Sequence, residues 1–454
     1  MNARQLAEQV CEKLRGAGYQ ALFTGGCVRD LLLHREPVDY DVATDACPEE
    51  VQRLFPGSIA VGAQFGVIVV TGDDLQVEVA TFRSDLGYAD GRHPVAVKFS
   101  ATPEEDARRR DFTINGLMMD PRDGRVLDFV SGQADLAAGI VRAIGDPELR
   151  FDEDKLRMVR AVRFAARFGY VIDATTHAAI VKRAPEIVQV SQERLRDELT
   201  KMLTEGAARR AFELLDETGL LGELLPEISR MKGVAQPPQF HPEGDVWVHT
   251  LLMLGQLPAA CSPTLAWGVL LHDVGKPATF KPPAGPNDRI RFDEHVEVGT
   301  RIAEEICQRL RFSNDDTEQI ALLVANHLRF KDVAQMRAST LKRFVRLPRF
   351  EEHLELHRLD CLSSHRDMTC YDFTQRFLAE TPPDAVRPSR LLTGDDLKAM
   401  GYAPGPAFKE ILRTVEDAQL EGKVRTHEQA VEMVRDAFPA NETRISKRGN
   451  AQRT

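Results

Sequence analysis

The chain has 454 residues, 43% of them hydrophobic and 28% charged, with a formal net charge of −10. That length predicts about three domains of roughly 100–200 residues each, and the composition excludes a disordered chain. The negative balance disfavours a generally basic nucleic-acid coat but leaves room for RNA in one local groove.

No apolar run approaches the ~20 residues of a membrane helix. The start, MNARQLAEQVCEKLRGAG, reads as a charged amphipathic helix and not as a signal peptide. Seven scattered cysteines without a CxxC pair argue against a disulfide framework or zinc ribbon and for a reducing cytoplasm.

From residue 19 to 83 the pattern alternates strand and turn. YQALFTGG, VDYDVAT, GVIVVT and LQVEVATF read as strands, with a helical DLLLH between the first two. Residues 84–107 are polar and turn-rich and predict a flexible loop, after which DFTINGLMMD resumes regular structure. From about 150 to 437 the apolar spacing becomes helical. Proline-rich breaks at 236–242, 281–286 and 382–388 mark linkers, and no repeat of fixed period is present. The expected fold class is α+β: a small head of mixed sheet and helices, then an all-α neck, body and further helical domain.

Asp39 and Asp41 sit two apart in a strand-like segment, which places both carboxylates on one face. Two such groups repel unless a cation lies between them, and a hard ion such as Mg²⁺ meets that need in phosphoryl transfer. The bland alternative is a polar edge strand. Upstream, Gly25 and Gly26 let backbone N–H groups approach a triphosphate, and Arg29 can fork onto its oxygens. Two glycines, an arginine and then DxD resemble the head of nucleotidyltransferases related to DNA polymerase beta. Glu78 is either a third acid or a solvent-facing strand residue.

Arg108-Arg109-Arg110 is a solvated charge run on the bland reading and a nucleotide contact on the other. Asp154, Arg157 and Arg160 recur at steps of three, expected along one side of a helix that continues to Arg163 and Arg167. Helical ion pairs such as Glu153 with Arg157 are the alternative. As a base reader the set has sharper chemistry. Cytosine and adenine both present an amino group beside a ring-nitrogen acceptor, which suits one aspartate and one arginine, whereas uracil and guanine present the opposite pattern. One pair thus selects C and A without a template.

Eight of twelve histidines fall between His241 and His365. His272-Asp273 is expected inside an apolar helix ended by Gly-Lys-Pro. With His249, His295, His327 and Asp360 it follows the order H…HD…H…H…D, a donor set for one or two divalent metals. His353, His357 and His365 read as ordinary core or surface residues.

The segments GGCVRD, VDYDVAT, YADGRHP, RRRDFTING, DFVSGQADLAAGIVRAIGD, EDKLRMVRAVRFAA and ERLRDELTKML resemble, in order, the motifs of class II tRNA nucleotidyltransferases. That family includes CCA-adding enzymes, A-adding enzymes and bacterial poly(A) polymerases. The resemblance implies that Asp39 and Asp41 hold two Mg²⁺ ions. Gly26, Arg29 and Arg110 would bind the incoming triphosphate and ribose, Asp154 and Arg157 would read the base, and Arg160 and Arg163 would contact the nucleotide. It implies tRNA, CTP and ATP as partners, with no membrane and no obligate protein partner. Arg83, Asp85, Tyr88, Asp90 and Arg92 in the loop imply that the terminal A is added.

The histidine pattern resembles the HD metal phosphohydrolases and implies a divalent metal at His249, His272, Asp273, His295, His327 and Asp360. The expected division is 1–145 for the head, 146–235 for neck and body, 236–375 for the HD domain, 376–440 for a C-terminal helical segment and 441–454 for a disordered basic tail. The competing readings are an A-adding enzyme or poly(A) polymerase, and an HD hydrolase whose head only binds RNA.

Overall fold

The structure is a computed structural model that describes residues 1–62, 66–72, 74–88, 94–99, 102–239, 241–285 and 288–439. The tail expected at 441–454, and Asp90 and Arg92, lie outside the described residues. By internal packing the chain forms two compact units. The first is 1–235 with 245–270 and 304–314; the second is 236–244 with 271–303 and 315–454. The division expected near 145 falls inside the first unit, where Ile140–Val141 pairs in parallel with Val171–Ile172.

In the first unit, helix α1 (Ala3–Gly16) starts at an Asn2/Gln5 capping box and buries Leu6, Val10 and Leu14 on one face. β1 (Ala21–Thr24) is buried throughout, as a central strand must be. α2 (Gly26–Leu32), β2 (Asp41–Thr44) and α3 (Pro48–Leu54) follow. β3 (Ile59–Gly62), a strand beyond those expected from the sequence, precedes β4 (Val67–Gly72) and β5 (Leu75–Thr81). With β8 (Met118–Met119) and β9 (Val126–Leu127) these make a seven-stranded mixed sheet ordered β3-β4-β5-β2-β1-β8-β9.

The register lines up the acidic residues. Thr24 pairs with Asp41 across antiparallel β1 and β2, and Asp41 pairs with Glu78 across parallel β2 and β5. One expectation needs correction here. β2 begins at Asp41, and Asp39 lies in a bend just before it. The two carboxylates are therefore not alternate residues of one strand.

Residues 84–107 also depart from expectation. Among the described residues there, β6 (Arg83–Tyr88) and β7 (Pro94–Phe99) pair antiparallel, and α4 (Pro103–Arg108) opens on a Thr102/Glu105 capping box. The alternation in PVAVKF is the available signal.

α5 (Gly132–Ala138) leads to the neck, α6 (Pro147–Glu153), α7 (Leu156–Phe168), α8 (Ala174–Arg183) and α9 (Gln192–Thr204). The continuous helix expected from Glu153 to Arg167 is broken. Asp154 is extended, with φ −152° and ψ 105°, and caps α6 before α7 begins. Asp154 thus stands at a break and not on a helix face.

In the second unit, helix Phe350–Ser363 buries His353 and His357. The His357 ring stacks on Phe330 at 4.4 Å, which makes both histidines core residues, as expected. A separate small core of Leu392, Leu397, Tyr402, Ile411, Val415 and neighbours holds the C-terminal segment together. Among the described residues no helix is long and apolar enough to cross a membrane, and all seven cysteines are free.

Burial pushes His353 and His357 down to about 4, against about 6.5 in an unfolded chain. Between those values the unfolded chain binds more protons, so the second unit is expected to lose stability as pH falls from about 6.5 towards 4, by about 3 kcal/mol per histidine. Thermal melts between pH 7 and pH 5 check this. His357→Phe, which keeps the stack on Phe330, should flatten the dependence; an unchanged slope would refute it.

Candidate functional site

A cavity of about 860 Å³ opens in the first unit between the acid-bearing end of the sheet and the neck helices. It brings together every residue expected at a nucleotide site: Gly26, Arg29, Asp39, Asp41, Arg110, Asp154, Arg157, Arg160 and Arg163. Glu78 lines it too, beside Asp41 in register, so three acids meet there. Burial, then Glu78 and Asp39, push the Asp41 carboxyl up to about 6 against the opposing pull of Arg110. Crowded carboxylates that resist ionisation in this way, all with oxygen donors, fit a hard divalent cation.

The turn between β1 and α2 calls for glycine at position 25. Its φ is 72° and its ψ −131°, and a Cβ there would meet Arg110 Nη1 at 3.0 Å. Arg29 is almost fully buried under this turn. Its Nη1 donates to Asn115 Oδ1 at 2.7 Å, its Nε donates to Asp30 Oδ1 at 2.8 Å, and its guanidinium covers the Phe168 ring at 4.6 Å.

The arginines are each aimed by a carboxylate. Arg108 is the member of the RRR run that behaves as a solvated charge, pairing with Glu104 on α4. Arg109 and Arg110 converge on buried Asp106 at 2.6 and 3.0 Å. Burial opposes ionisation of Asp106, but the two guanidiniums outweigh it and hold its pKa below the usual range. Asp111 takes Arg160 at 2.8 Å; burial is again outweighed, and its pKa sits at about 2. Arg163 pairs with buried Glu198 of α9 at 2.6 Å.

Arg157 donates to Glu153 at 2.5 Å, the helical ion pair of the bland reading, and to the carbonyls of Arg150 and Arg109 at 3.0 and 3.3 Å. Lining a cavity and holding an ion pair are not exclusive. Asp154 is held in a fork by Arg194 of α9, at 2.6 and 3.2 Å. Sequence reasoning misses Arg194 and Glu198, although the segment ERLRDELTKML contains both; their partners lie 35–40 residues away.

The second unit holds another cluster. Helix Pro263–Leu271 ends one residue before His272, so His272-Asp273 lies in a turn, not inside the helix, and Lys276-Pro277 begins a short helix instead of stopping one. Gly275 lets this turn press onto helix His295–Arg309: a Cβ there would come 2.1 Å from the His295 carbonyl oxygen. Asp273, His295 and His327 each bring one ligand atom within 4.8 Å of the others, and His272 and Asp360 approach each other equally closely. The sixth expected ligand, His249, is buried on helix Val246–Leu254 of the first unit.

The imidazoles are prepared as ligands. His295 and His327 each donate from Nδ1 to a backbone carbonyl, Phe292 and Val324, at 2.7 Å. That leaves Nε2 of each buried without a hydrogen-bond partner, 3.9 and 3.8 Å from Asp273 Oδ1. Burial pushes His295 down and His327 down to about 4, which keeps both rings neutral. Burial opposes ionisation of Asp273, yet His272 and Lys276 hold it far below the usual carboxylate range. Neutral, oriented imidazoles with orphaned nitrogens beside a carboxylate fit a divalent metal.

Three family models match the chain: "Poly A polymerase head domain" over 21–142, "Probable RNA and SrmB- binding site of polymerase A" over 169–232 and "HD domain" over 249–362. The CCA-adding enzyme of Geobacillus sp. (strain WCH70) is 32% identical over 434 residues, covering 94% of this chain and 95% of its own length. The Bacillus subtilis CCA-adding enzyme is 40% identical, over 53% of this chain and 61% of its own length. The crystal structure of the Bacillus stearothermophilus CCA-adding enzyme in complex with CTP matches with a TM-score of 0.68 at 26% identity, covering 96% of this chain and 99% of that one. The Thermotoga maritima CCA-adding enzyme complexed with tRNA shares the fold, with a TM-score of 0.59 at 21% identity. The chain thus belongs to the family of the CCA-adding enzymes, which are tRNA nucleotidyltransferases, and carries an HD domain.

Proposed function

We propose that this chain adds CCA to the 3′ end of tRNA from CTP and ATP without a nucleic-acid template, using two Mg²⁺ ions held by Asp39 and Asp41. The observation that carries the reading is the single cavity shared by these acids, the Gly25–Arg29 turn and the pair Asp154 and Arg157.

In this reading Arg29 and Arg110 bind the triphosphate, each pre-aimed by its own acid, Asp30 or Asp106. Asp154 accepts from the exocyclic amino group of cytosine or adenine, and Arg157 donates to the ring nitrogen beside it. The 3′ hydroxyl of the RNA attacks the α-phosphate and pyrophosphate leaves. The ions, when bound, supply the charge that lowers the hydroxyl pKa and neutralises the leaving group. Glu78 serves as a third acid beside Asp41. The HD centre acts as a metal-dependent phosphodiesterase or phosphatase, the reading favoured by the orphaned Nε2 atoms of His295 and His327.

Primer extension on transcripts ending before CCA, after C and after CC tests this. CCA on the shortest transcript is expected. Addition of A alone to the CC-ending transcript would make this an A-adding enzyme, and long A tracts on unrelated RNA a poly(A) polymerase. Asp41→Ala should abolish addition and leave HD hydrolysis of a phosphodiester intact, whereas Asp273→Ala should do the reverse. Surviving addition in Asp41→Ala would refute the metal assignment.

Arg194→Leu frees the Asp154 carboxylate. Loss of a charged hydrogen bond of about 1.5–3 kcal/mol corresponds to a roughly 10- to 150-fold fall in kcat/KM for CTP and ATP. Discrimination against UTP and GTP should fall with it. Steady-state rates with all four nucleotides check this, and unchanged selectivity would show that Arg194 does not position Asp154.

A further inference from the structure

Gln236 opens the second unit, and only 2% of its surface is exposed. Its backbone is pinned where its amide donates to the Gly244 carbonyl at 2.8 Å. Its side-chain oxygen Oε1 accepts from Lys276 Nζ at 2.6 Å, and the same Nζ pairs with Asp273 Oδ2 at 2.6 Å. The carboxamide thus stands one ammonium group away from the HD cluster. Lysine offers only donors, so the amide oxygen must be the atom that faces it. That leaves Nε2 on the other side of the amide. Among the described residues Gln236 Nε2 is buried without a hydrogen-bond partner.

The orphaned nitrogens of this region differ in kind. Nε2 of His295 and of His327 presents a lone pair, because Nδ1 of each ring donates to a carbonyl. A metal cation satisfies those. Gln236 Nε2 presents N–H groups, which a cation repels and only an acceptor satisfies. A buried donor without an acceptor is costly, and a ligand that brings one recovers that cost. A phosphate ester meets both demands at once, with one oxygen towards the cation and another on the N–H. Phe292, whose ring lies 5.4 Å from Lys276 Nζ, and His295 line an open cavity of about 360 Å³, which gives a ligand access to this side of the cluster.

We propose that Gln236 is a substrate-binding residue of the HD centre. Its Nε2 donates to a nonbridging oxygen of a phosphate ester, while Lys276 holds the amide in that orientation. The inference rests on the reading of the HD centre as a metal-dependent phosphoesterase. In the hydrolysis a water oxygen bonds to phosphorus, the ester P–O bond breaks, and one proton of the water leaves on the alcohol. Gln236 gains and loses no proton; it steadies an oxygen that gathers negative charge as the water adds. It precedes the matched HD residues 249–362, and the histidine pattern does not reveal it.

The test uses the full chain and two variants, with inorganic phosphate as the probe. Gln236→Glu keeps an oxygen for Lys276 but removes the N–H groups, and Gln236→Met removes both. Titration calorimetry measures Mn²⁺ or Ni²⁺ binding first, then phosphate binding to the metal-loaded protein. In both variants the metal affinity should hold. Phosphate should bind roughly 10- to 150-fold more weakly, the loss expected for a hydrogen bond to a charged group. The kcat/KM for bis(p-nitrophenyl) phosphate should fall by a similar factor. If Gln236 only propped Lys276, Gln236→Glu would behave as wild type while Gln236→Met lost activity, and that result would overturn the proposal. Metal affinity lost together with phosphate binding would also overturn it, because Gln236 would then support the metal ligands. A wild type that binds metal but not phosphate would refute the inference alone. One that binds neither would refute the reading of the HD centre as well.

Discussion

Repulsion between carboxylates at the end of one sheet is the constraint around which the first unit is built. The register sets Asp41 beside Glu78, and the bend before β2 brings Asp39 to the same cavity. Such a cluster cannot fully ionise unless positive charge answers it. The chain provides arginines around the cavity, but mobile arginines would collapse onto the acids. Each is instead tethered by a mostly buried carboxylate: Asp106 for both Arg109 and Arg110, Asp111 for Arg160, Glu198 for Arg163. Buried ion pairs of this kind add little net stability, because desolvation offsets attraction. What they fix is direction, so the guanidiniums around the cavity need no reordering to meet a ligand.

The HD centre solves a related problem with different chemistry. Its Asp273 carboxylate is kept ionised beside His272 and Lys276, the latter at 2.6 Å, and the His295 and His327 imidazoles are kept neutral by burial and turned by carbonyls behind them. Oxygen donors dominate one site and nitrogen donors the other. Two donor sets of different character thus share one chain, and donor type and geometry, more than raw affinity, sort metals.

Much of this is legible in the sequence because the signals are local. Gly25, Arg29, Asp39 and Asp41 fall within seventeen residues around one strand–helix junction, and β1, β2, β4 and β5 announce themselves by apolar runs. What the sequence conceals depends on distant partners or on backbone geometry. The step of three from Asp154 to Arg160 imitates a helix face, yet Asp154 is extended because it caps α6 and accepts from the Leu156 amide. Arg194 and Glu198 look like ordinary members of an amphipathic helix until α7 is packed against it. The pairing of β6 with β7 is hidden because only PVAVKF alternates, while the polar residues of β6 do not. His272-Asp273 sits in a turn because Gly275 must touch helix His295–Arg309, a contact with no signature in periodicity.

The two units are interleaved along the chain, and this bears on how the protein is made. Trp267 donates from its indole to Thr200 at 2.9 Å and packs edge-on against Phe312 at 5.2 Å, while Arg309 grips Glu227 at 2.6 Å. The head and neck are therefore not finished when residue 235 leaves the ribosome. Their last packing pieces arrive only with residues 304–314, by which point a stretch of the second unit has already been synthesised. A cut at any single position between them leaves one core short of its own residues. The HD domain is thus not a detachable appendage: losing it in evolution would require the head and neck to replace packing that now comes from within the same stretch of chain.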